Sequence, residues 1–503
     1  MCARRASFST GMAGSPLGKI KAFGWPLGLP ARAQREYHPI SPLATPRRSA
    51  AYPGTDGAPF AMTAMATLVH FLPLAKVLFA FGVMLAGLRL RQPLWLSVLA
   101  GGLILALSFG MTPWAWLQVA SVSALQRETT YLILILALIL FLSEVLEKSG
   151  QTKRLMQAAT GFLTDPRLRL AFFPALVGFL PMPGGAVFSA PLVRDMADEL
   201  GLARRDTTLV NYWFRHLWEL CWPLYPGIIL TSALAGVPLA RLIAYTLPCV
   251  VLCMALGWLF IMLPAVRHLK DAPQAPRIEA SAPRPPRDIR AALFEGLPML
   301  LAITCGLGFE VAMTVLAPDQ PFELGIMAAL ILAIACALVQ NRVGPGFVAG
   351  VLGDRELYKL VALVVSVLVF KDVLQASGAV EELAAVASGR GALFALTLGL
   401  PFLVGLISGI TVAFVGATFP IILGVLHTLG MDAGAGDQLL PHLTLGLFAG
   451  FTGVMISPLH VCFILSCQFF EADFGRTWRR LIAPCGLLLG CGVLWFFVLT
   501  RLF

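Results

Sequence analysis

The sequence predicts an all-α polytopic membrane protein made of two inverted-topology repeats. Each repeat is expected to hold five transmembrane helices plus one re-entrant hairpin, with broken helices at the midplane. Three observations predict this. The 503 residues are 58% hydrophobic and 13% charged, with a mean hydropathy of +0.81, which is too apolar for a soluble domain. Two stretches, Pro174–Ala190 and Pro401–Ala417, interrupt apolar sequence, and both open with PxLVG. Short motifs recur in the same order in the two halves.

Residues 1–61 stand apart. They hold eight basic residues against Glu36 and Asp56, as in a transit-like or disordered tail or a translated upstream region. A start at Met62 or Met65 is the expected reading. Apolar segments follow at about 68–88, 94–112, 130–147, 207–235 and 238–265, forming a first repeat over 62–265. A basic, proline-rich cytoplasmic linker covers 266–290. The second repeat, 291–503, has segments at about 293–315, 323–340, 357–376, 438–468 and 478–502. Each is long enough for a hydrocarbon core of about 30 Å.

Between the third and fourth spans of each repeat lies a hairpin, at 168–198 and 392–426. Its arms of about 15 residues make about 22 Å of helix, too short to cross. In the first hairpin Pro181, Pro183, Gly184 and Gly185 end the helix, because proline lacks an amide donor and glycine lowers helix propensity. Exposed backbone is costly in lipid, so such a break is tolerated only against protein or water.

The repeats are related by matches in order. SEVLEKSG (Ser143–Gly150) matches KDVLQASG (Lys371–Gly378), the PxLVG hairpins follow, and WPLY (Trp222–Tyr225) matches SPLH (Ser457–His460). Five crossings per repeat, an odd number, require the halves to be inverted. Loop charges agree. Basic loops at Arg89/Arg91, Lys148–Arg154, Arg194–Arg205, 266–290, Arg342–Lys359 and Arg476–Arg480 alternate with loops poor in basic residues. This puts the first hairpin's mouth in the cytoplasm and the second's outside.

Candidate binding residues cluster at the breaks. Gly184, Gly185, Ala186 and Ser189 open the returning arm of the first hairpin, where free amides and the helix dipole favour an anion. Ser408, Gly409 and Thr411 add hydroxyls at the second tip. Small residues also serve helix packing, which is the plainer reading. In NYWFRHLWELCWPLYPG, Asn211, Arg215, Trp218, Glu219 and Trp222 fall at helical spacing on one face. Arg215 and Glu219 form an i,i+4 pair within a span, either functional or a structural ion pair. His216 lies one position off that face, as a proton carrier or a structural histidine. Pro223 and Pro226 are expected to break the helix, with Ser457, Pro458 and His460 at the equivalent break. Ser457 and His460 are candidate ligand contacts. Lys371, Asp372, Glu144 and Glu147 fit an interfacial role, and Glu310 has no partner that the sequence names.

Other classes are poorly supported. Nine of ten cysteines lie in or beside apolar segments without a CxxC pair, so neither disulfides nor a metal site is inferred. HExxH, GxSxG, P-loop and cysteine/histidine metal motifs are absent, so no enzyme and no cofactor is expected. The net charge of +10 reads as loop orientation signals, with no nucleic-acid partner.

At PMPGGAVFSAPLV, NYWFRHLWE and ISPLH the chain resembles the domain-of-unknown-function 401 family over about residues 65–503. That family is grouped with the ion transporter superfamily, which includes divalent-anion/sodium symporters and gluconate permeases. The resemblance implies two inverted repeats, each with a re-entrant hairpin and a broken helix, often in an elevator-type dimer. Carboxylate symporters of that superfamily carry Ser-Asn-Thr at their tips. This chain has Pro-Met-Pro-Gly-Gly and Ser408-Gly409-Ile410-Thr411 instead, a departure bearing on dicarboxylate specificity and sodium coordination. The expected function is secondary transport of a small organic anion across the bacterial inner membrane, coupled to Na⁺ or H⁺, with a homodimer left open. A passive channel of the same fold and an intramembrane enzyme or accessory subunit are the alternatives.

Overall fold

A 22-residue helix closed by a left-handed glycine occurs at the same place in both halves of the chain. Arg127–Lys148 is followed by Gly150 and Arg355–Ala376 by Gly378, each glycine at φ +73°. Glycine takes this conformation without a Cβ penalty and lets the chain turn into the next helix. These are the ends of the SEVLEKSG and KDVLQASG motifs. The computed structural model describes residues 58–160, 162–163, 165–179, 185–266, 288–316, 320–321, 323–386, 390–431 and 438–502. The expected basic extension, the linker and the tip residue Gly184 lie wholly or almost wholly outside them.

Residues Ala61–Phe503 form one unit. Among the described residues it is helical, without strands. The first half runs through Ala58–Arg89, Leu94–Ser108, Pro113–Ala124, Arg127–Lys148, Gln151–Thr160, the hairpin arms Pro166–Val177 and Ala186–Glu199, a broken span Arg204–Arg215 and Pro226–Ala235, and Leu239–Gly257. The second half repeats the succession with Ile289–Leu316, Glu323–Asn341, Pro345–Leu352, Arg355–Ala376, Ala379–Val386, the arms Arg390–Ser408 and Thr411–Thr428, the broken span Leu439–Ile456 and Val461–Phe469, and Ile482–Leu502. One short helix, Phe474–Arg479, has no counterpart.

The two halves interlock reciprocally. Leu94–Ser108 packs on Arg355–Ala376, and Glu323–Asn341 packs on Arg127–Lys148. The returning arm Ala186–Glu199 packs on Val461–Phe469, and the returning arm Thr411–Thr428 packs on Pro226–Ala235. Each hairpin therefore closes against the broken span of the other half. Within each half, the outgoing arm lies on the first piece of its own broken span. The PxLVG glycine explains how closely. A Cβ on Gly178 would sit 2.3 Å from the Arg215 carbonyl oxygen, and one on Gly405 would sit 2.2 Å from that of Gly450. Only glycine lets these backbones approach.

Among the described residues, eight helices are long and apolar enough to cross a membrane. A ninth is added if Val361–Ala376 and Ala379–Val386, bent by 71°, form one span. Two expectations need correction. The arms of the second hairpin are 19 and 18 residues, not about 15, so length alone would let each cross. The turn itself falls at Ser408 and Gly409, where the sequence places it. The second correction concerns the first broken span, which ends at Arg215 rather than running to Pro223. His216 Nδ1 contacts the Tyr212 carbonyl at 2.6 Å, the acceptor its own amide would use in a continuing helix. The amide turns instead to Trp213 O at 3.1 Å. Trp218, Glu219 and Trp222 thus leave the helical face expected to carry them with Asn211 and Arg215.

Candidate functional site

Two helix ends, that of the first hairpin's outgoing arm and that of the first piece of the second broken span, are stabilised in the same way: their last carbonyls are met by side-chain donors. At the end of the first outgoing arm, Ala175 O accepts from Trp218 Nε1 at 2.9 Å, Val177 O from Arg215 Nη1 at 3.2 Å and Gly178 O from Tyr225 Oη at 2.7 Å. At the second break, Val454 O meets His460 Nδ1 at 3.1 Å, Met455 O accepts from Tyr212 Oη at 2.8 Å and Ile456 O from Trp478 Nε1 at 2.8 Å. Val454 O also accepts from Ser457 N at 3.1 Å; the others have no backbone donor among the described residues, so a helix end in apolar surroundings needs such side chains. The WPLY and SPLH motifs end on matching N-caps. Tyr225 (φ −79°, ψ 124°) opens Pro226–Ala235, and His460 (φ −66°, ψ 115°) opens Val461–Phe469. Pro226 is the first residue of its helix, where a missing amide costs nothing.

The expected site residues divide into three groups. Gly185 and Arg215 meet directly: a Cβ on Gly185 would lie 2.2 Å from Arg215 Nη2. Arg215 is 3% exposed, and its guanidinium sits at the start of the returning arm. Glu219 instead faces the other half. Its carboxylate accepts a hydrogen bond from the Thr411 hydroxyl, and its Oε2 has no hydrogen-bond partner among the described residues. Arg215 and Glu219 thus reach different hydrogen-bond partners, since the helix that would set them at i,i+4 has ended.

Asn211, Ser189 and Ala186 form the second group, a buried clamp. Asn211 Nδ2 donates to Ala186 O at 2.9 Å and to Ser466 Oγ at 3.0 Å, while its Oδ1 accepts from Ser189 Oγ at 2.6 Å. These groups are engaged with one another and tie the first hairpin to both broken spans. The third group surrounds the second tip. Gly409, at φ +65°, lies on the break: a Cβ there would be 3.0 Å from His460 Cα. Among the described residues Ser408 Oγ bonds locally, to Ile410, and Ser457 Oγ accepts from Leu459 N at 3.2 Å.

Two features escaped the sequence reading. His216, His460 and Cys462 come together, with one ligand atom from each within 4.8 Å of the others. Sequence motifs showed no cysteine/histidine cluster because His216 lies in the other half; His460-Val461-Cys462 was the only local signal. Glu310 does find partners, capping Leu239–Gly257 by accepting from Leu239 N at 2.5 Å and Ala240 N at 3.3 Å.

Two cavities lie away from this centre, at the far ends of the returning arms. One, of about 240 Å³, is lined by Leu234, Lys371, Glu381 and His427 among others. The other, of about 260 Å³, is lined by Arg194, Asp198, Arg204 and Glu471 among others.

A chain whose described residues are all-helical, with eight or nine segments among them able to cross a membrane, is a multi-pass membrane protein. It belongs to the family described as Protein of unknown function (DUF401), whose profile matches residues 73–278 and 287–499. No curated protein matches the chain.

Proposed function

We propose that the chain is a secondary active transporter of a small organic anion, with carboxylates the favoured class, in the bacterial inner membrane. The observation that carries this reading is the position of Arg215. A buried guanidinium lies against Gly185 at the positive end of the Ala186–Glu199 helix. Two positive ends brought together within a membrane favour an anion between or beside them. Guanidinium also matches a carboxylate with parallel hydrogen bonds.

The reciprocal packing supports an inverted-repeat reading. Each hairpin lies on the other half's broken span, as two halves related by a twofold axis in the membrane plane require. The Gly409 tip lies on His460, inside the 31-residue Leu439–Phe469 segment. A tip at that depth supports re-entrance even though its arms are long. The grouping of the family with the ion transporter superfamily, and a Na⁺ or H⁺ gradient as the driving force, belong to the same reading.

The test is uptake of labelled small carboxylates by proteoliposomes, with and without imposed Na⁺ and pH gradients. Gradient-dependent accumulation is expected. Flux that only dissipates a substrate gradient would support the channel alternative, and no flux of any carboxylate would end the proposal.

A further inference from the structure

We propose that His216, His460 and Cys462 form a binding site for a borderline-soft transition-metal ion, with Zn²⁺ as the type, bridging the two helix breaks. The three residues are 5%, 6% and 7% exposed, and their ligand atoms lie within 4.8 Å of one another. The two imidazoles meet edge to face, with ring centroids 4.7 Å apart at 86°. His216 comes from the first break, and His460 and Cys462 from the start of the helix after the second.

The hydrogen-bond pattern fixes which nitrogen of each ring is free to bind an ion. His216 Nδ1 lies 2.6 Å from Tyr212 O, and His460 Nδ1 lies 3.1 Å from Val454 O. A carbonyl oxygen can only accept, so each Nδ1 carries the proton and each Nε2 keeps its lone pair. Tyr212 Oη, 3.3 Å from His460 Nδ1, gives its own proton to Met455 O and does not change this assignment. Backbone carbonyls on the far nitrogen are the usual device that orients a metal-ligating histidine and fixes its tautomer.

Proton counting then argues for an ion. Cys462 Sγ and one nitrogen of each ring lie within 4.8 Å of one another. With both Nδ1 protons committed to carbonyls, each ring keeps one lone pair, and a single thiol proton can fill at most one of the two. An unpaired buried acceptor is costly. A metal ion satisfies both nitrogens and the thiolate together, and binding releases the thiol proton. Two imidazoles and a thiolate suit zinc or copper, whereas Na⁺, Mg²⁺ and Ca²⁺ prefer oxygen. Three protein ligands leave a fourth tetrahedral position open. This inference stands independently of the anion-transport reading, because it uses none of the residues placed around Arg215.

The test uses the full chain, purified in detergent and stripped with a chelator. Titrated with Co²⁺, the wild type should develop visible bands of tetrahedral cobalt and a thiolate charge-transfer band. Zn²⁺ should displace the cobalt at about one ion per chain. Cys462→Ser and His460→Gln should each lose the bands, which separates this site from the other cysteines. To keep the test independent of how the variants fold, X-ray absorption of the zinc-loaded wild type should show one sulfur at about 2.3 Å and nitrogens at about 2.0 Å. A zinc shell without sulfur, or cobalt bands unchanged in Cys462→Ser, would overturn the proposal.

Discussion

The Thr411 hydroxyl, at the tip of the second hairpin, donates a hydrogen bond to the Glu219 carboxylate in the break of the first half. It joins a hairpin tip to the broken span of the opposite half. Glu219 is 8% exposed, and its other oxygen has no hydrogen-bond partner among the described residues. Thr411→Val would therefore strand a buried carboxylate. The expected loss is about 1–3 kcal/mol of stability, with Thr411→Ser close to wild type because it keeps the donor. Thermal unfolding in detergent measures both. Equal stability of the valine variant would mean that the bond contributes nothing.

Arg215→Lys should weaken anion binding by about tenfold or more, since lysine cannot reproduce the guanidinium fork and bonds to charged groups are worth about 1.5–3 kcal/mol. Gly185→Ala should act through the same contact, because its new Cβ would meet Arg215 Nη2 at 2.2 Å. Gly490→Ala, with nothing within 4 Å, serves as control. The rival view is that Arg215 only holds helix ends together. Wild-type affinity in Arg215→Lys, with transport retained in the Arg215→Gln, Glu219→Gln double variant, would establish that view.

Gly178→Ala and Gly405→Ala should both impair folding. Each added methyl would meet a backbone carbonyl, which cannot swing aside as a side chain can. Overpacking of this kind costs about 1–3 kcal/mol or more. The readout is the monodisperse fraction on size exclusion, with Gly399→Ala, which meets nothing within 4 Å, unaffected. Normal behaviour of either hairpin variant would show that the arm and span separate easily.

Cysteines at Glu199 and Thr428, exposed residues near the ends of the two returning arms, should label from opposite sides of the membrane. An impermeant thiol reagent on intact and opened cells, compared with the unaltered chain, decides it. Same-side labelling would exclude inversion of the two halves.

The amino-acid sequence by itself determined the helical membrane class, the positions of the two helical turns after the PxLVG motifs, the second helix break and the motifs that recur in both halves. These are written in local chemistry: apolar runs, prolines without amide donors, and glycines where only glycine fits, such as Gly150 and Gly378. Tertiary structure decided what local periodicity could not. Extrapolating helical spacing through Arg215 put Glu219 beside it, but His216 takes the Tyr212 carbonyl and the helix stops. Glu219 then reaches Thr411, which is 192 residues away in sequence. The convergence of His216 with His460 and Cys462 was equally hidden, because it arises from reciprocal packing of the two halves. In a membrane, backbone groups freed at a break must find partners within the protein. The sequence marks where those groups are freed, and only the packed halves bring the side chains that satisfy them.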